Sequence, residues 1–547
     1  VGLHDILRGD AERRPDEEAA MSYPGDGRLP VIYVRGYAGG PSGIDKAVDD
    51  PFYGFNEGSV QARVDGDNRP LFHQFESPLL RLMIDHEYQL LVQGDQEAYL
   101  RRQQHGTVPA ATIWVHRFYD EFAPHLTQDP ATFSIERAAQ SLFDLVRLVR
   151  EQTGAPRVFL VAHSMGGLVV RSMLQRVIPD AERVGGSLDA AAAFVDRVFT
   201  YATPHGGIEF AVGFGLLEKV RDTLGIQGAD MFGPRRMREF LTPTGVALTD
   251  EFSATRLPAG GFPSERFFCL VGTNSTDYAA ALGLSSRAVG PRSDGLVQIE
   301  NAFLEGAPCS YVHRSHSGRF GIVNSEEGYQ NLRRFLFGDL QVSADLTGLH
   351  PWGSPDDETV WQLETQMSIR GLPVVLHERS TAHLCPIQIE RPAGGTDVRP
   401  VPIVRTYLSS KATRPPDPNN DAAPMETMRH VLRLRLLSLR AKGGLLSFLD
   451  HLEQAEDWAD VLVVDIQLSE GAPPRTWARW GSELKVPLRD WTPDPATDAP
   501  LKDEEVAEGI WRACVRLPEN ARRLLGDAAA VTIEVQGRST LPAGVPH

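Results

Sequence analysis

The sequence predicts a mostly parallel α/β domain followed by an all-β, sandwich-like domain. Three observations predict it. Between residues 29 and 337, apolar runs of strand length alternate with stretches of helical spacing. Those runs are unbroken rather than alternating, as strands buried on both faces require. Beyond Gly338 the pattern changes to period two, broken by Pro- and Asp-rich stretches such as TRPPDPNNDAAP. The expected division is therefore residues 1–338 and 339–547. The first carries an excursion over 41–111 and a cap over 208–262.

Each element has its own signal. LPVIYV (29–34) is a short β-branched run ending near Gly36, a buried strand. ATIWVHRFY (111–119) is a second strand. Ser134 reads as an N-cap, followed by Ile135, Ala138, Ala139, Leu142, Leu145, Val146 and Val149 on one helical face. Gly154 and Pro156 end that helix. RVFLVA is the next strand and GGLVVRSMLQRVI the next helix, with Pro179 as its stop. DRVFTYATP and RFFCLVGT are further strands, and EEGYQNLRRFLFG is a closing helix. In the second part VWQLETQMSI, VLRLRLLSL, DVLVVDIQLS, IWRACVRL and AVTIEVQ alternate as half-buried strands. Arg433, Arg435 and Arg440 lie among leucines there. They read either as a solvated sheet face or as a basic face for a phospholipid headgroup.

The 547 residues are 42% hydrophobic and 23% charged, enough for a sizeable core. A net charge of −17 argues against nucleic acid and anionic membrane surfaces as partners, since both need a basic face. No run of about 18 apolar residues exists, so no transmembrane helix is expected. The N-terminal stretch is too charged for a signal peptide and lacks an initiating Met, which leaves the compartment open. Cys269, Cys309, Cys385 and Cys514 are widely spaced, without a metal-type pair. Cys269 and Cys309 are readable as a pair in an exported protein and at least as readily as buried free thiols.

RVFLVAHSMGGLVVRSMLQ (157–175) carries the chemistry. Ser164 stands between an apolar strand and an apolar helix, with Ala162 and Gly166 two residues away and Gly167 beyond. A chain reversing there admits only small neighbours, lifts the hydroxyl out of the sheet and aims a helix N-terminus at whatever the serine attacks. A serine hydroxyl needs a base. In such a fold the order is Ser, then Asp or Glu, then His. Downstream stand Asp294, also readable as an Asp-Gly turn residue, and two histidines, His313 and His316. His316 is the candidate base because a loop delivers it ahead of the final helix; His313 is its rival. Asp294 is the candidate orienting carboxylate. Met165 and Tyr37 would supply backbone N–H groups to an oxyanion, with Gly36 letting the backbone approach. His163, beside the serine, is expected to point away from the reacting centre and to line or support the pocket. His205 is expected to shape a pocket or a turn. His313-x-x-His316 as a metal pair lacks acidic residues nearby in sequence, and neither metal nor cofactor is expected.

VRGYAGG, VAHSMGG, YATPHGG, SDGLV and the SHSG…NS stretch resemble bacterial lipases and esterases of the α/β-hydrolase superfamily. They are similar to the true-lipase and inositol-deacylase-like branches, where such motifs occur in this order. The resemblance spans residues 29–337. It implies an α/β-hydrolase fold with a mostly parallel central sheet, ahead of the C-terminal all-β sandwich-like domain. It also implies hydrolysis of an acyl ester or lipid through an acyl-enzyme, with Ser164, Asp294 and His316 as catalytic residues. One departure stands out: Arg35-Gly36 replaces the His-Gly usual in the oxyanion loop of such lipases. Relatives of this general type hold calcium near the equivalent of Asp294, but no ligand set is legible here.

Phe210, Phe214, Leu217 and Val220 in the cap, and Phe52, Tyr53, Phe55, Phe72 and Phe75 in the excursion, are candidates to line an acyl pocket. The cap helix is equally readable as core, or as a lid making transient contact with a lipid interface. An acyltransferase or amidase would use the same three residues. A binding protein on an inactive hydrolase scaffold is the non-enzymatic alternative.

Overall fold

The computed structural model describes residues 28–36, 59–64, 70–75, 78–92, 95–118, 134–182, 188–209, 232–246, 252–278, 289–318, 320–350, 360–369, 372, 374–390, 399–408, 427–441, 452–469, 472–488, 490–493, 498–502, 504–507 and 509–538. In the first part the strands are β1 (Val31–Val34), β2 (Ser59–Val64), β3 (Pro70–Phe75), β4 (Ile113–His116), β5 (Val158–His163), β6 (Val195–Tyr201), β7 (Phe267–Gly272) and β8 (Cys309–Val312). The helices there are α1 (Pro78–His86), α2 (Gln96–Arg101), α3 (Ile135–Thr153), α4 (Met165–Ser172), α5 (Ile178–Ala181), α6 (Pro234–Leu241) and α7 (Glu326–Phe337).

Six strands form one parallel sheet in the order β4-β1-β5-β6-β7-β8. Because side chains alternate across a strand, each strand feeds two cores. Ile32 and Val34 face the layer holding Leu142, Val146 and Leu168, whereas Val31 and Tyr33 face the layer holding Phe199, Leu332 and Phe335. That double burial explains the unbroken apolar runs. The fold is the α/β-hydrolase type: a parallel sheet with helices packed on it, and the strand–Ser164–helix turn at its centre.

Local signals set the helix ends. Ser134 caps α3 by accepting the N–H of Arg137, and Gly154 closes it at φ 68°. Pro179 does not stop the helix after Ser164. The helix passes through a π segment (Met173–Val177) and continues to Ala181, with Pro179 inside the last turn. Proline removes one N–H and crowds the carbonyl four residues back. The wider i→i+5 turn, in which the N–H of Ile178 donates to the carbonyl of Met173, relaxes the backbone there.

The strands of the second part are β9 (Leu340–Thr347), β10 (Val360–Ile369), β11 (Val375–Arg379), β12 (Ile387–Ile389), β13 (Val401–Leu408), β14 (Thr427–Ala441), β15 (Leu452–Ser469), β16 (Ala472–Trp480), β17 (Glu504–Ala507), β18 (Ile510–Arg516) and β19 (Ala530–Gly537), with helix α8 (Glu519–Leu525). They make two antiparallel sheets, β11-β10-β14-β15-β16 with β12 beside β10, and β13-β9-β19-β18-β17. Both sheets turn apolar faces to one shared core: Leu363, Leu434 and Leu462 from one, Leu346, Val531 and Ile533 from the other. The all-β expectation therefore holds as two layered sheets. Leu432, Leu434 and Leu436 are buried while Arg433 is exposed, and Arg435 is ion-paired with Glu364 and Glu456. That is the solvated-face reading of LRLRLLSLR.

The two parts are tied at α7. Arg538 lies 4.2 Å over the Tyr407 ring and 5.0 Å over Phe335, and Asn331 Nδ2 donates to the carbonyl of Leu376. Cys269 and Cys309 are register partners on β7 and β8, and both are free thiols. No described helix is long and apolar enough to cross a membrane.

Burial holds three histidines neutral: it pushes His116 down to about 4, and His377 and His430 each down to about 3. Unfolding frees them to take a proton below about pH 6.5. The unfolded state then binds more protons, so stability is lost as pH falls from about 6.5. Each should contribute a slope of up to about 1.4 kcal/mol per pH unit in that window. Thermal unfolding followed at pH 7.5 and pH 5 should give the lower midpoint at pH 5; equal midpoints would contradict this accounting.

Candidate active site

β5 ends at His163 and α4 begins at Met165, so a single residue reverses the chain. Ser164 does this at φ 53° and ψ −130°, a backbone state L-residues avoid. Its surroundings hold it there. Its N–H donates to the carbonyl of Tyr201 at 2.9 Å, and its own carbonyl accepts from Thr203 Oγ1 and the N–H of Gly167, each at 3.0 Å. The turn brings α4 hard against β1. A Cβ on Gly166 would sit 2.5 Å from the Val34 carbonyl oxygen, and one on Gly36 would sit 2.8 Å from Ser164 Cβ.

The loops following β7 and β8 bring two more groups to the same edge of the sheet. Asp294 and His316 are 1% and 3% exposed. His316 Nε2 lies 3.0 Å from Ser164 Oγ, and His316 Nδ1 lies 2.9 Å from Asp294 Oδ2. Asp294 fills both of its sequence readings at once. Oδ1 accepts the N–H groups of Leu296 and Val297 at 3.0 and 2.8 Å, the turn function, while Oδ2 faces the imidazole. The N–H of His316 also donates to the Asp294 carbonyl at 2.9 Å. The ring and its backbone are thus both referenced to one residue. With Nδ1 protonated toward the carboxylate, Nε2 presents a lone pair to the hydroxyl, the arrangement that accepts a proton from it.

His313 stands elsewhere. Its Nδ1 is 3.3 Å from Thr273 Oγ1, and its ring stacks on His383 of the second part at 3.7 Å and 9°. His205 is fully buried. Its Nε2 is 3.1 Å from Thr200 Oγ1, and its carbonyl accepts from Arg171 Nη1 at 2.9 Å, so it braces the core behind the turn. His163 departs from expectation in direction. Its ring is 5.0 Å from that of His316, and its Nε2 is 3.0 Å from the His316 carbonyl oxygen. Burial, together with the neighbouring His316, pushes His163 down to about 3. The neutral ring then donates to that carbonyl and steadies the loop carrying His316.

Two supports were not legible beforehand. Tyr278 sets its ring edge-on to His316 at 5.6 Å while packing over Gly295. Arg314 holds the loop from below through a buried two-pronged pair with Glu327, both contacts at 3.1 Å. Nothing in the local sequence around Tyr278 distinguishes it. The Arg314–Glu327 spacing offered a weak clue, a charge of each sign flanking the His316 loop. Met165 opens α4, so its N–H is among the helix donors without an intrahelical acceptor. Tyr37 lies outside the described residues, as do Phe52, Tyr53, Phe55, Phe210, Phe214, Leu217 and Val220. The side chains of Phe72, Phe75 and Arg440 are likewise not described. Among the described residues no group of three or more His, Cys, Asp and Glu side chains is arranged to hold a metal ion.

No family model and no curated protein matches this chain. Among solved structures it is similar to a Listeria innocua gene product, at 12% identity over 56% of this chain and 94% of that one, with TM-score 0.25. It is similar to lipase B of Aspergillus fumigatus, at 11% identity over 54% of this chain and 46% of that one, with TM-score 0.23. It is also similar to phospholipase PlaB of Legionella pneumophila, solved with thio-NAD, at 12% identity over 78% of this chain and 91% of that one, with TM-score 0.29. Likeness at this level leaves the chemistry to the residues of this chain.

The close packing at the turn has a measurable consequence. Gly166→Ala forces a methyl group toward a backbone carbonyl that cannot rotate away, and should lower stability by about 1–3 kcal/mol. Gly537→Ala, where a methyl group meets nothing within 4 Å, should change it by no more than about 0.5 kcal/mol. Denaturant unfolding of the two variants checks this; equal effects would contradict it.

Proposed function

We propose that the protein is a serine ester hydrolase of lipase or carboxylesterase type, acting on an acyl ester or lipid through an acyl-enzyme. The observation that carries the reading is the hydrogen-bonded line from Ser164 Oγ through His316 to Asp294, at 3.0 and 2.9 Å. Residues 1–338, including the excursion over 41–111 and the cap over 208–262, form the catalytic unit, and residues 339–547 form an accessory β unit.

The reaction runs in two halves. His316 Nε2 takes the Ser164 proton as Oγ attacks the acyl carbonyl carbon. Asp294 stabilises the imidazolium and keeps its ring aligned. The oxygen of the tetrahedral intermediate is held by the N–H groups of Met165 and Tyr37. When the intermediate collapses, the C–O bond to the alcohol breaks and the alcohol leaves with the proton from His316. Water then attacks the acyl-enzyme, gives its proton to His316 and releases the acid, and the proton returns to Ser164. Arg35 in place of the usual His leaves this scheme intact, since the donors are backbone groups.

The test is covalent. A fluorophosphonate probe should label the wild-type chain on the peptide containing Ser164 and leave Ser164→Ala unlabelled. With p-nitrophenyl octanoate, Asp294→Asn should lower kcat by about 10³–10⁴-fold. Unlabelled wild type, or activity surviving Ser164→Ala, would refute the reading. Products formed with added alcohol or amine separate a hydrolase from a transferase. In a series of acetate, octanoate and palmitate esters the octanoate or palmitate should react fastest; a steep preference for acetate would remove the long-chain pocket.

A further inference from the structure

A cavity of roughly 1250 Å³ lies in the seam between the β8 edge of the parallel sheet and the antiparallel sheets, and neither Ser164, Asp294 nor His316 lines it. One wall is the segment from Ile299 to Cys309 that enters β8. The other is β13 with the segment that runs into β12. The cavity belongs to both parts of the chain at once.

Its chemistry is amphiphilic. Leu304, Ile387, Val401 and Ile403, each less than a tenth exposed, make an apolar floor. Four guanidinium groups also line it, in a chain whose net charge is −17. Arg379 is fixed: its Nε and Nη2 donate to the carbonyls of Cys385 and Pro386 at 2.9 and 3.2 Å, and its cation lies 4.6 Å over the Tyr311 ring. Arg405 is half-buried, on the strand position opposite Ser343. Among the described residues Arg292, Arg399 and Arg405 carry neither an ion pair nor a hydrogen bond of the side chain.

Four carboxylates line the same space, and among the described residues none of them is ion-paired with the four arginines. Glu305 is occupied outside, on Arg256 at 2.7 Å and Thr255 at 2.8 Å. Glu300 and Glu390 are exposed. Asp345 makes no direct ion pair with Arg405; burial raises its pKa, and the neighbouring Arg405 cation opposes that rise. His377 adds a neutral polar edge: it is 2% exposed, and neither ring nitrogen has a hydrogen-bond partner. A half-buried guanidinium whose N–H groups make no hydrogen bond is an unfavourable arrangement that the oxygens of an anion would relieve.

We propose that this seam cavity is a second ligand site, taking an amphiphilic anion whose apolar body lies on Leu304, Ile387 and Ile403 and whose carboxylate or phosphate meets Arg405 and Arg379. The ligand class follows from the lining. A volume of this size exceeds what a bare inorganic anion fills, and pockets for small organic ligands are of comparable size and similarly mixed lining. A released fatty acid is one source of such an anion, and to that extent the proposal rests on the ester-hydrolase reading. A lipid phosphate is the other source.

Calorimetric titration of the full chain with dodecanoate, dodecyl phosphate, dodecyltrimethylammonium and inorganic phosphate, each below its aggregation concentration, tests it. One equivalent of either anionic amphiphile should bind wild type and Ser164→Ala alike, and should still bind after a fluorophosphonate has blocked Ser164. Arg405→Gln should weaken binding by about tenfold or more. Arg399→Gln, at an exposed position, should weaken it less and serves if Arg405→Gln fails to fold. Preference for carboxylate or phosphate identifies the source. Equal binding of the cationic amphiphile or of inorganic phosphate, indifference to both arginine substitutions, or loss of binding on blocking Ser164 would each overturn the proposal. Intact binding in a chain that hydrolyses no ester would leave this site standing and sink only the hydrolase reading.

Discussion

Ser164 is held in a backbone conformation that a serine does not choose, and the centre of the molecule is built around keeping it there. Holding an L-residue in such a state carries a local penalty on the order of 1–3 kcal/mol. Three hydrogen bonds made by the backbone groups of Ser164 and the contact of Gly166 with β1 oppose relaxation. The reward is directional: the hydroxyl stands clear of the sheet, and the N-terminus of α4 lies just behind it.

Parallel strands convert that one turn into a site. Because β5, β7 and β8 run the same way, the loops that leave them emerge at one edge of the sheet. Residues separated by 152 and 22 positions meet there through side-chain contacts of 3.0 and 2.9 Å. Alignment does not rest on the pair alone. Asp294 spends one oxygen on the backbone of its own turn, so the other has a fixed direction. His163 and Tyr278 fix the loop and the ring of His316 from two sides. A carboxylate free to rotate would lose the imidazole tautomer that makes Nε2 a base.

Much of this was legible in the residues, unevenly. β1, β5, β6 and β7 are apolar runs buried on both faces, and burial on two sides leaves a strong compositional trace. β8 left a weaker trace than the equally short β1, because its residues, Cys-Ser-Tyr-Val, include a polar serine and begin with a partly exposed cysteine. The second part was readable as an all-β sandwich from LRLRLLSLR and its relatives, but its strand order was not, since pairing is set by contacts far apart in sequence. Ser164 was legible because its neighbours must be small. His316 could be preferred to His313 only for its place ahead of the final helix, because both occupy one loop and contacts far off in sequence put one ring on His383 and the other at the hydroxyl. The helix continuing past Pro179 was misread, since a π turn leaves no mark in hydrophobic spacing.

The line of hydrogen bonds stands or falls with the protonation of one ring. Nitrogen NMR of the histidine side chains, with His316 assigned through His316→Gln, measures it directly. The account requires a neutral His316 carrying its proton on Nδ1, with that signature displaced in Asp294→Asn and undisturbed in His313→Gln. A proton on Nε2, or a His316 signature indifferent to Asp294→Asn, would contradict it.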